Sequence, residues 1–472
     1  MTAPHPAGTP RLSRRVQVGY ATGSLVTGSF GTVPGLLLLP YLTDTLGIAA
    51  GVAGLVVLLP KAWDVVVNPV AGRISDRTAG RWGARRPYLL FGGLAMSVLF
   101  ASMFAGVFTG HGAAVWVAVT FIATATAFAF FQVPYVAMPA DMTEAAGLQD
   151  EGGQRTRMMT WRVAMLALAI LVSGAVAPAV RDAFDRPAQT FAGSIFGHRV
   201  MGVFVAVLIV TGTLLVFFLT RDAPRGLVSQ SEHSLRAQLR VAAGNKPFRV
   251  LVGCFVVQAA GVAAMLAGVQ YFADHVLHEH GAVTLLFVCV VGPAILVMPI
   301  WNRVGARVGK LRGYVVASLM ITAGTFALAS APLLRSAGAV WAVYLIVGLI
   351  GCGYAGQQLF ALAMLPDCIA YDTIRTGKRQ AGVFTGLWTA GETFGLAVGP
   401  YLFAQTIALF GYVPSNTGEA APQSSMAELG VLLGFTVVPG VVVGLALLLL
   451  RAYSLGPLPG PGNAVVATAG ST

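Results

Sequence analysis

Charge is scarce in this sequence: 10% of the 472 residues are Asp, Glu, Lys or Arg, whereas 56% are hydrophobic. Because a soluble domain carries about 25% charged residues, this chain has too little polar surface to cover a water-facing globule. Regular alternation of apolar and polar residues, which marks membrane-barrel strands, is also missing, and the apolar runs are long. The composition therefore excludes an ordinary soluble protein and favours helices whose solvent is lipid.

Residue types that build chemical sites are also scarce. The four cysteines lie in apolar stretches without paired spacing, which excludes a disulfide framework. The seven histidines lie in tails, loops or helix ends, and no ATP-binding loop of the form GxxxxGK followed by Ser or Thr is present. We therefore expect no enzyme activity, no metal site and no cofactor beyond a coupling ion, either H⁺ or Na⁺.

Twelve apolar segments run through the chain, each near or above the roughly 20 residues that cross a bilayer as a helix. They lie at 17–40, 52–74, 87–109, 113–140, 158–180, 199–220, 249–273, 281–301, 313–332, 337–364, 381–410 and 427–451. The sequence thus predicts an all-α polytopic membrane protein with twelve transmembrane helices.

Lys and Arg are distributed unevenly between the two sides of these segments. With the N-terminus inside, 25 of the 30 basic residues fall in inside segments and 4 in outside segments. Because cytoplasmic loops are the ones enriched in Lys and Arg, we expect both termini to face the cytoplasm, in a bacterial cell membrane. This distribution also explains the net charge of +12 without a nucleic-acid partner.

The longest inside loop divides the chain into two similar halves. We expect a cytoplasmic tail at 1–16, six-helix bundles at 17–220 and 249–453, a cytoplasmic linker at 221–248 and a disordered tail at 454–472. The loop GRISDRTAGRWGARRPY, which ends at Tyr88, resembles NRVGARVGKLRGY, which ends at Tyr314. Such an internal repeat is typical of transporters, whose substrate path lies between the repeats.

Several strings of the sequence carry a family resemblance. The loop after the second segment resembles the loop signature of the major facilitator superfamily at Gly72, Asp76, Arg77, Arg81, Gly83, Arg85 and Arg86. Similarity to the glycoside–pentoside–hexuronide:cation symporters, the melibiose permease group, is carried by PYLTDTLGIAAGVAG (40–54), KAWDVVVNPVAGRISDR (61–77), VPYVAMPADMT (133–143) and LPDCIAYDTIRTGKRQAGVF (365–384). The resemblance implies the major facilitator fold, with two six-helix bundles, alternating access and a central binding site.

The same resemblance implies roles for single residues. Asp64 matches the acid of the family's W-D motif, which helps to bind the coupling cation. Asn68 stands where the melibiose permease pattern has a second acid, Gly28 where it has a sugar-binding acid, and Glu392 where a cationic residue is usual. Because one carboxylate among neutral oxygens suits a proton better than sodium, we expect Asp64, Asn68 and Glu392 to couple transport to protons.

Ionisable residues inside apolar segments are costly, so each needs a partner or a function. Asp64 and Lys61 are three residues apart on one helix face, which suits either a structural ion pair or a transport role. Glu392 has no basic neighbour in sequence, so it is either a proton carrier or a gate partner of Lys61 or Arg162. Asn68 either offers its carbonyl oxygen to a cation or satisfies the backbone that Pro69 interrupts.

Other charged residues lie near the inner ends of the segments and suggest gates. Asp141 and Arg162 are expected to form an inner gate, with snorkelling of Arg162 as the alternative. Salt bridges between the two bundles are expected from Asp76, Arg77, Arg85, Arg86, Asp367, Asp372, Arg375, Lys378 and Arg379.

Aromatic and polar residues near the presumed core are candidate substrate ligands, because sugars stack on aromatic faces. The candidates are Tyr135, Tyr354, Trp388, Gln357 and Lys61. Packing is the alternative for the aromatic residues. The expected function is proton-coupled symport of a sugar, glycoside or similar small polar solute. A lysolipid or drug transporter of the same fold, or a proton antiporter, is the alternative, and no obligate protein partner is expected.

Overall fold

The computed structural model describes residues 12–78, 80, 82–83, 85–145, 154–184, 191–223, 240, 242–279, 281–334, 340–376, 381–415 and 421–454. Every regular element in these ranges is a helix, as the composition predicts. The terminal tails lie mostly outside the described residues, as does most of the predicted linker.

The first half begins with a helix that is broken into short pieces. α1 spans Arg14–Thr22 and α2 spans Ser24–Val33, and two π-helical turns follow at Pro34–Leu38 and Tyr41–Thr45. Pro34 and Pro40 lack a backbone donor, which explains why the α-helical ladder gives way there. The other helices of this half are α3 (Ala50–Asp76), α4 (Arg86–Met103), α5 (Gly110–Ala145), α6 (Gln154–Phe184) and α7 (Phe191–Leu219).

The second half has the same order of long helices. α8 spans Lys246–Tyr271 and continues as a π-helical turn at Phe272–Leu277. α9 (Ala282–Leu296) and α10 (Met298–Val308) follow, and the apolar part of α9 makes an angle of 43° with α10. The remaining α-helices are α11 (Lys310–Leu328), α12 (Val340–Thr376), α13 (Ala381–Leu409), α14 (Ser425–Phe435) and α15 (Val437–Leu450).

Most of these helices can cross a membrane. Within the described residues, nine helices are long and apolar enough to do so, or ten if the bent pair α9–α10 is one span. The other two predicted spans coincide with the broken helix from α1 to Thr45 and with α13, both of which are helical. The membrane-embedded all-α fold is therefore confirmed, and the count of twelve spans stays a prediction.

The two halves repeat one packing scheme. In the first half α2 packs on α6, α3 packs on α5, and α4 packs on both α5 and α7. In the second half α8 packs on α13, α9 packs on α12, and α11 packs on both α12 and α15. Each contact in one half thus has its counterpart in the other, as the repeated loop sequences predict.

The halves meet where α3 packs against α13, α6 against α9, and the first π-helical turn against α8. Glycine allows a close approach at the first of these contacts, because a Cβ atom on Gly54 would lie only 2.7 Å from the Cβ of Ala404. Small residues let membrane helices approach closely in this way. The crossing of α3 and α13 fixes the position of the residues described next.

Candidate functional site

Hydrogen bonds between the halves seal one end of the molecule. The Tyr412 hydroxyl donates to Asp44 Oδ1 at 2.8 Å, and His275 Nε2 lies 3.0 Å from the same hydroxyl. The hydroxyls of Thr43 and Tyr271 are 2.6 Å apart, and the backbone N–H of Ser415 donates to the Thr43 carbonyl at 2.9 Å. We call the end that carries these residues the sealed end, and the opposite end, which carries most of the Lys and Arg, the basic end.

A second group of hydrogen bonds between the halves lies at the sealed end. Arg181 at the end of α6 donates to Gln270 Oε1 on α8 at 2.9 Å, and Gln270 Nε2 donates to Asp274 at 2.7 Å. Slightly deeper, Gln405 donates to the Gly51 carbonyl and Thr284 donates to the Ala175 carbonyl. Among the described residues, the hydrogen bonds that join the two halves all lie toward the sealed end.

Space opens between the halves below this seal. On α2 and the turn after it, Thr27, Gly31 and Gly35 follow one another at four-residue intervals and share a face. At Gly35 this face meets Leu266 of α8, because a Cβ there would lie 3.1 Å from that side chain. At Gly31 the same face is exposed, with nothing within 4 Å of a built Cβ. The face is thus covered by α8 at Gly35 and uncovered at Gly31, and we call the gap that begins there, on the side of the basic end, the central cavity.

α3 follows the same pattern. Its Gly54 touches α13, whereas Lys61 and Asn68, seven and fourteen residues further on the same face, are partly exposed. Elsewhere in the same half, Thr27 of α2 donates to Gln132 Oε1 of α5 at 2.7 Å, and both side chains are partly exposed. The cavity wall of the first half is thus polar, with hydroxyl, amide and ammonium groups.

Asp64 lies beside this wall and is buried, with 4% of its surface exposed. Its Oδ1 atom has no hydrogen-bond partner among the described residues. The Lys61 ammonium lies 5.4 Å from the centre of the Phe30 ring, and the ion pairs found in the described residues do not include Lys61–Asp64. The expected i,i+3 ion pair is therefore not formed, because Lys61 extends along α3 toward α2 instead.

Glu392 lies at nearly the depth of Asp64 but not beside it. Counting from the Gly54–Ala404 contact, both residues lie about 15–18 Å further toward the basic end, at 1.5 Å per residue. Glu392 is about two and a half turns from Tyr401, which also touches Gly54, and so faces away from α3. Its electrostatic neighbour is Tyr354 of α12. Neither Lys61 nor Arg162 forms an ion pair with it in the described residues, which contradicts that gate pairing.

The proposed substrate ligands divide into buried and accessible groups. Tyr135 is fully buried and donates to the Tyr20 carbonyl at 2.9 Å. Trp388 is buried and stacked on Phe255 at 4.3 Å, and Gln357 donates to Gln258 at 2.8 Å. These three contribute to packing in this conformation, although Trp388 Nε1 and Gln357 Oε1 have no partner among the described residues.

Tyr354 is the accessible member of this set. It is partly exposed, and its hydroxyl accepts a hydrogen bond from Gln358 at 3.1 Å. Together with Glu392 it places hydroxyl, amide and carboxyl groups on the second half of the molecule. Tyr354 and Lys61 are thus the two predicted ligands that are partly exposed in this conformation.

The expected inner gate between Asp141 and Arg162 is wrong for this conformation. Asp141 accepts from Arg85 Nε at 2.7 Å, and Arg85 also donates to Ser75 at 2.9 Å. The Arg162 guanidinium instead lies 5.5 Å from the centre of the Tyr135 ring, and its Nε atom has no hydrogen-bond partner. Asp141 pairs with Arg85 because the loop before α4 folds back against the end of α5.

The other basic-end charges also pair inside one half instead of between halves. Arg86 donates to the Phe217 carbonyl at 2.7 Å. Lys310 and Asp367 pair at 2.7 Å, and Arg375 and Asp372 pair at 3.1 Å. These described contacts lie within one bundle, so they are not the bridges between bundles that the sequence predicts, and those bridges stay a prediction. Arg77 is exposed, whereas the Asp76 side chain, Lys378 and Arg379 lie outside the described residues.

Sequence reasoning missed the residues of the sealed end. Thr43 and Asp44 belong to the string PYLTDTLG, which was used only for the family resemblance, and Tyr412 and His275 had no assigned role. The available signal was an acid at the end of an apolar segment, where burial demands a partner. Its partners are more than 200 residues away, so only the folded chain identifies them.

Gly28, where the resemblance expects a sugar-binding acid, lies in tight contact with α6. A Cβ atom there would lie 2.6 Å from the Cβ of Ala169. A carboxylate side chain therefore does not fit at this position without separating α2 from α6. The chain recognises its solute without an acid at this place.

Comparisons with known proteins agree with this architecture. Residues 19–457 match the family model described as MFS/sugar transport protein. The glucuronide carrier protein homolog of Escherichia coli (strain K12) is 26% identical over 457 residues, covering 94% of this chain and 93% of that protein. The isoprimeverose transporter of Lactiplantibacillus pentosus is 24% identical over 435 residues, covering 90% and 85%.

A solved structure shows the same fold. It is a bacterial homologue of the human lysosomal transporter Spinster, with a TM-score of 0.65 at 13% identity, covering 93% of this chain and 95% of that one. The relatives and the family are membrane transporters and not enzymes, and the long match to the family model covers both halves of the chain. This protein is an integral membrane protein and a secondary transporter of the MFS/sugar transport family.

Proposed function

We propose that this protein is a symporter that couples the uptake of a sugar or glycoside to protons by alternating access. In this proposal the basic end faces the cytoplasm of a bacterial cell, in keeping with the distribution of Lys and Arg. The cavity between the halves then opens inward, and the sealed end closes it from the outside. The substrate binds between Thr27, Gln132 and Lys61 on one half and Tyr354 and Gln358 on the other.

One observation carries the proposal: the buried carboxyl of Asp64, whose Oδ1 lacks a hydrogen-bond partner among the described residues. A buried charge without direct partners is costly, and binding a proton removes that cost. Lys61 and Asn68 expose the same stretch of α3 to the cavity, so a proton has a short polar route to Asp64. Occupation of Asp64 by a proton therefore favours the conformation in which the cavity is closed.

The substrate class is supported by the groups that line the cavity. Hydroxyl, amide and ammonium groups donate and accept hydrogen bonds as a polyhydroxylated solute requires. The relatives named for a glucuronide and for isoprimeverose support a carbohydrate substrate.

The proposal is tested by transport into proteoliposomes that contain the purified protein. Uptake of radiolabelled glycosides, among them a glucuronide and a pentose-containing disaccharide, is measured with a pH gradient, with a sodium gradient and with neither. We expect concentrative uptake with the pH gradient alone. Sodium-stimulated uptake that does not depend on pH would contradict proton coupling.

Variants locate the coupling site. Asp64→Asn keeps the shape of the side chain and should abolish pH-driven accumulation, while exchange of labelled for unlabelled substrate continues. Glu392→Gln should do the same if its carboxyl also carries a proton. Asp367→Asn is the control, because Asp367 is a partly exposed partner of Lys310 at the basic end, and it should accumulate substrate normally. Normal accumulation per folded molecule by Asp64→Asn would remove the basis of the proposal.

A further inference from the structure

A cavity of about 400 Å³ lies at the basic end. Arg14, Gln17 and Val18 of α1 and Trp161 of α6 line it. Arg14 is the first residue of α1, and Trp161 is near the start of α6, so the cavity lies at helix ends where a membrane meets water. None of these residues has a role in the transport proposed above.

Arg14 gives this cavity a positive charge that no described acid neutralises. The neighbouring Arg15 lies 3.9 Å from Asp222, whereas the ion pairs among the described residues do not include Arg14. The side-chain amide of Gln17 already donates to the Leu12 carbonyl at 2.9 Å. Among the described residues that line the cavity, the Arg14 guanidinium is therefore the charged group that can meet an anion.

The rest of the cavity is apolar and continues along the helix surface. Val18 is 41% exposed and Trp161 is 51% exposed. Leu168 and Val176, seven and fifteen residues after Trp161, are also exposed and extend the same side of α6 toward the middle of the membrane. Tryptophan is enriched at the level of lipid headgroups, and a basic residue beside it attracts anionic lipid.

The geometry points to a binding site for an anionic phospholipid. Its phosphate pairs with Arg14, its headgroup rests against Trp161, and one acyl chain follows Val18, Leu168 and Val176. A soluble anion such as phosphate meets the same guanidinium but gains nothing from the apolar track. The site is therefore selective for a lipid with negative charge over both a neutral lipid and a free anion.

Binding is measured on the full-length protein in detergent, by native mass spectrometry and by thermal unfolding. The probes are dioleoyl phosphatidylglycerol, dioleoyl phosphatidylcholine and inorganic phosphate. We expect phosphatidylglycerol to bind and to raise the unfolding temperature, and Arg14→Gln to weaken this binding about fivefold, as the loss of one basic residue at a membrane surface predicts. Arg15→Gln is the matched control and should change binding less than twofold.

The apolar part of the site is tested separately with brominated phosphatidylglycerol, which quenches nearby tryptophan. Trp161→Phe should remove part of the quenching seen in the parent protein. Three results would overturn the site: equal effects of Arg14→Gln and Arg15→Gln, equal binding of the two lipids, or stabilisation by phosphate alone equal to that by phosphatidylglycerol. Unchanged quenching in Trp161→Phe would contradict the position of the headgroup.

Discussion

Asp44 and Asp64 are both buried acids, but their surroundings give them different roles. Asp44 accepts a hydrogen bond from Tyr412, and His275 holds the same hydroxyl from a third segment. Asp64 Oδ1 has no such partner in the described residues. A buried acid that accepts a hydrogen bond stabilises one arrangement of helices, whereas a buried acid oxygen without a partner can bind an ion. The first therefore belongs to the seal and the second to the proposed coupling site.

At the residue scale, Tyr412→Phe should weaken the seal. The change removes the donor to Asp44 Oδ1 and leaves a buried acceptor without its bond, which costs about 1–3 kcal/mol. Spin labels at Asp182 and Val413, which flank the sealed end on opposite halves, report its opening by double electron–electron resonance. We expect a larger population at long distance in Tyr412→Phe.

Tyr401→Phe is the matched control for this experiment. Tyr401 also lies where the halves meet, but its hydroxyl makes no hydrogen bond in the described residues. In Tyr401→Phe, the distribution of distances between the two spin labels should equal that of the parent protein. If the two variants give the same distribution of distances between the spin labels, Tyr412 does not hold the sealed end closed.

At the scale of elements, the crossing of α3 and α13 is one of the places where the halves lie in close contact. Gly54 and Gly51 lie three residues apart on the face of α3 that touches α13. A Cβ on Gly54 would lie 2.7 Å from Ala404, whereas a Cβ on Gly51 would lie 3.5 Å from the Gln405 side chain. The first distance requires the helices to separate, and the second is ordinary contact.

Gly54→Ala should therefore destabilise the sealed conformation, and Gly51→Ala should not. Overpacking of this kind costs about 1–3 kcal/mol. The same spin-label pair should show a shift toward the open distance in Gly54→Ala, with a lower unfolding temperature. Equal behaviour of the two variants would show that contact between α3 and α13 does not limit the approach of the halves.

At the scale of the whole molecule, the repeated packing of the two halves explains how a single cavity can open at one end. Each half keeps its charged loops bound to itself, as the pairs Arg85–Asp141 and Lys310–Asp367 show. Because the described basic-end ion pairs stay within one half, the halves can separate at that end without breaking them. Closure of the basic end then needs contacts beyond the ion pairs of the described residues.

The orientation of the whole molecule is predicted by its charge. We expect a cysteine introduced by His5→Cys to be unreactive toward an impermeant thiol reagent in intact cells, and one introduced by Gly411→Cys to react. The unequal distribution of Lys and Arg between the two ends is the physical reason. Permeabilised cells provide the control for exposure, and labelling of position 5 in intact cells would reverse the orientation.

Composition and apolar length were enough to predict the solvent of the protein and its helical class. These properties follow from composition and from apolar length, which act locally along the chain. The strings around Asp64 and Asp367 also determined the family, which the match over residues 19–457 confirms. Asp64 was recognisable as a candidate site residue because an acid in an apolar segment is costly wherever it lies.

Which charged residues pair with each other depends on the folded structure and was not predictable from the sequence. Asp141 binds Arg85 and not Arg162, and Glu392 has Tyr354 as an electrostatic neighbour and no described ion pair with Lys61, because helix rotation and loop folding set which groups come together. The seal of Asp44 with Tyr412 joins residues 368 positions apart, and no local pattern encodes such a distance. The cost of burying a charged residue can be predicted from the apolar residues around it in sequence. Its partner depends on where the rest of the folded chain lies.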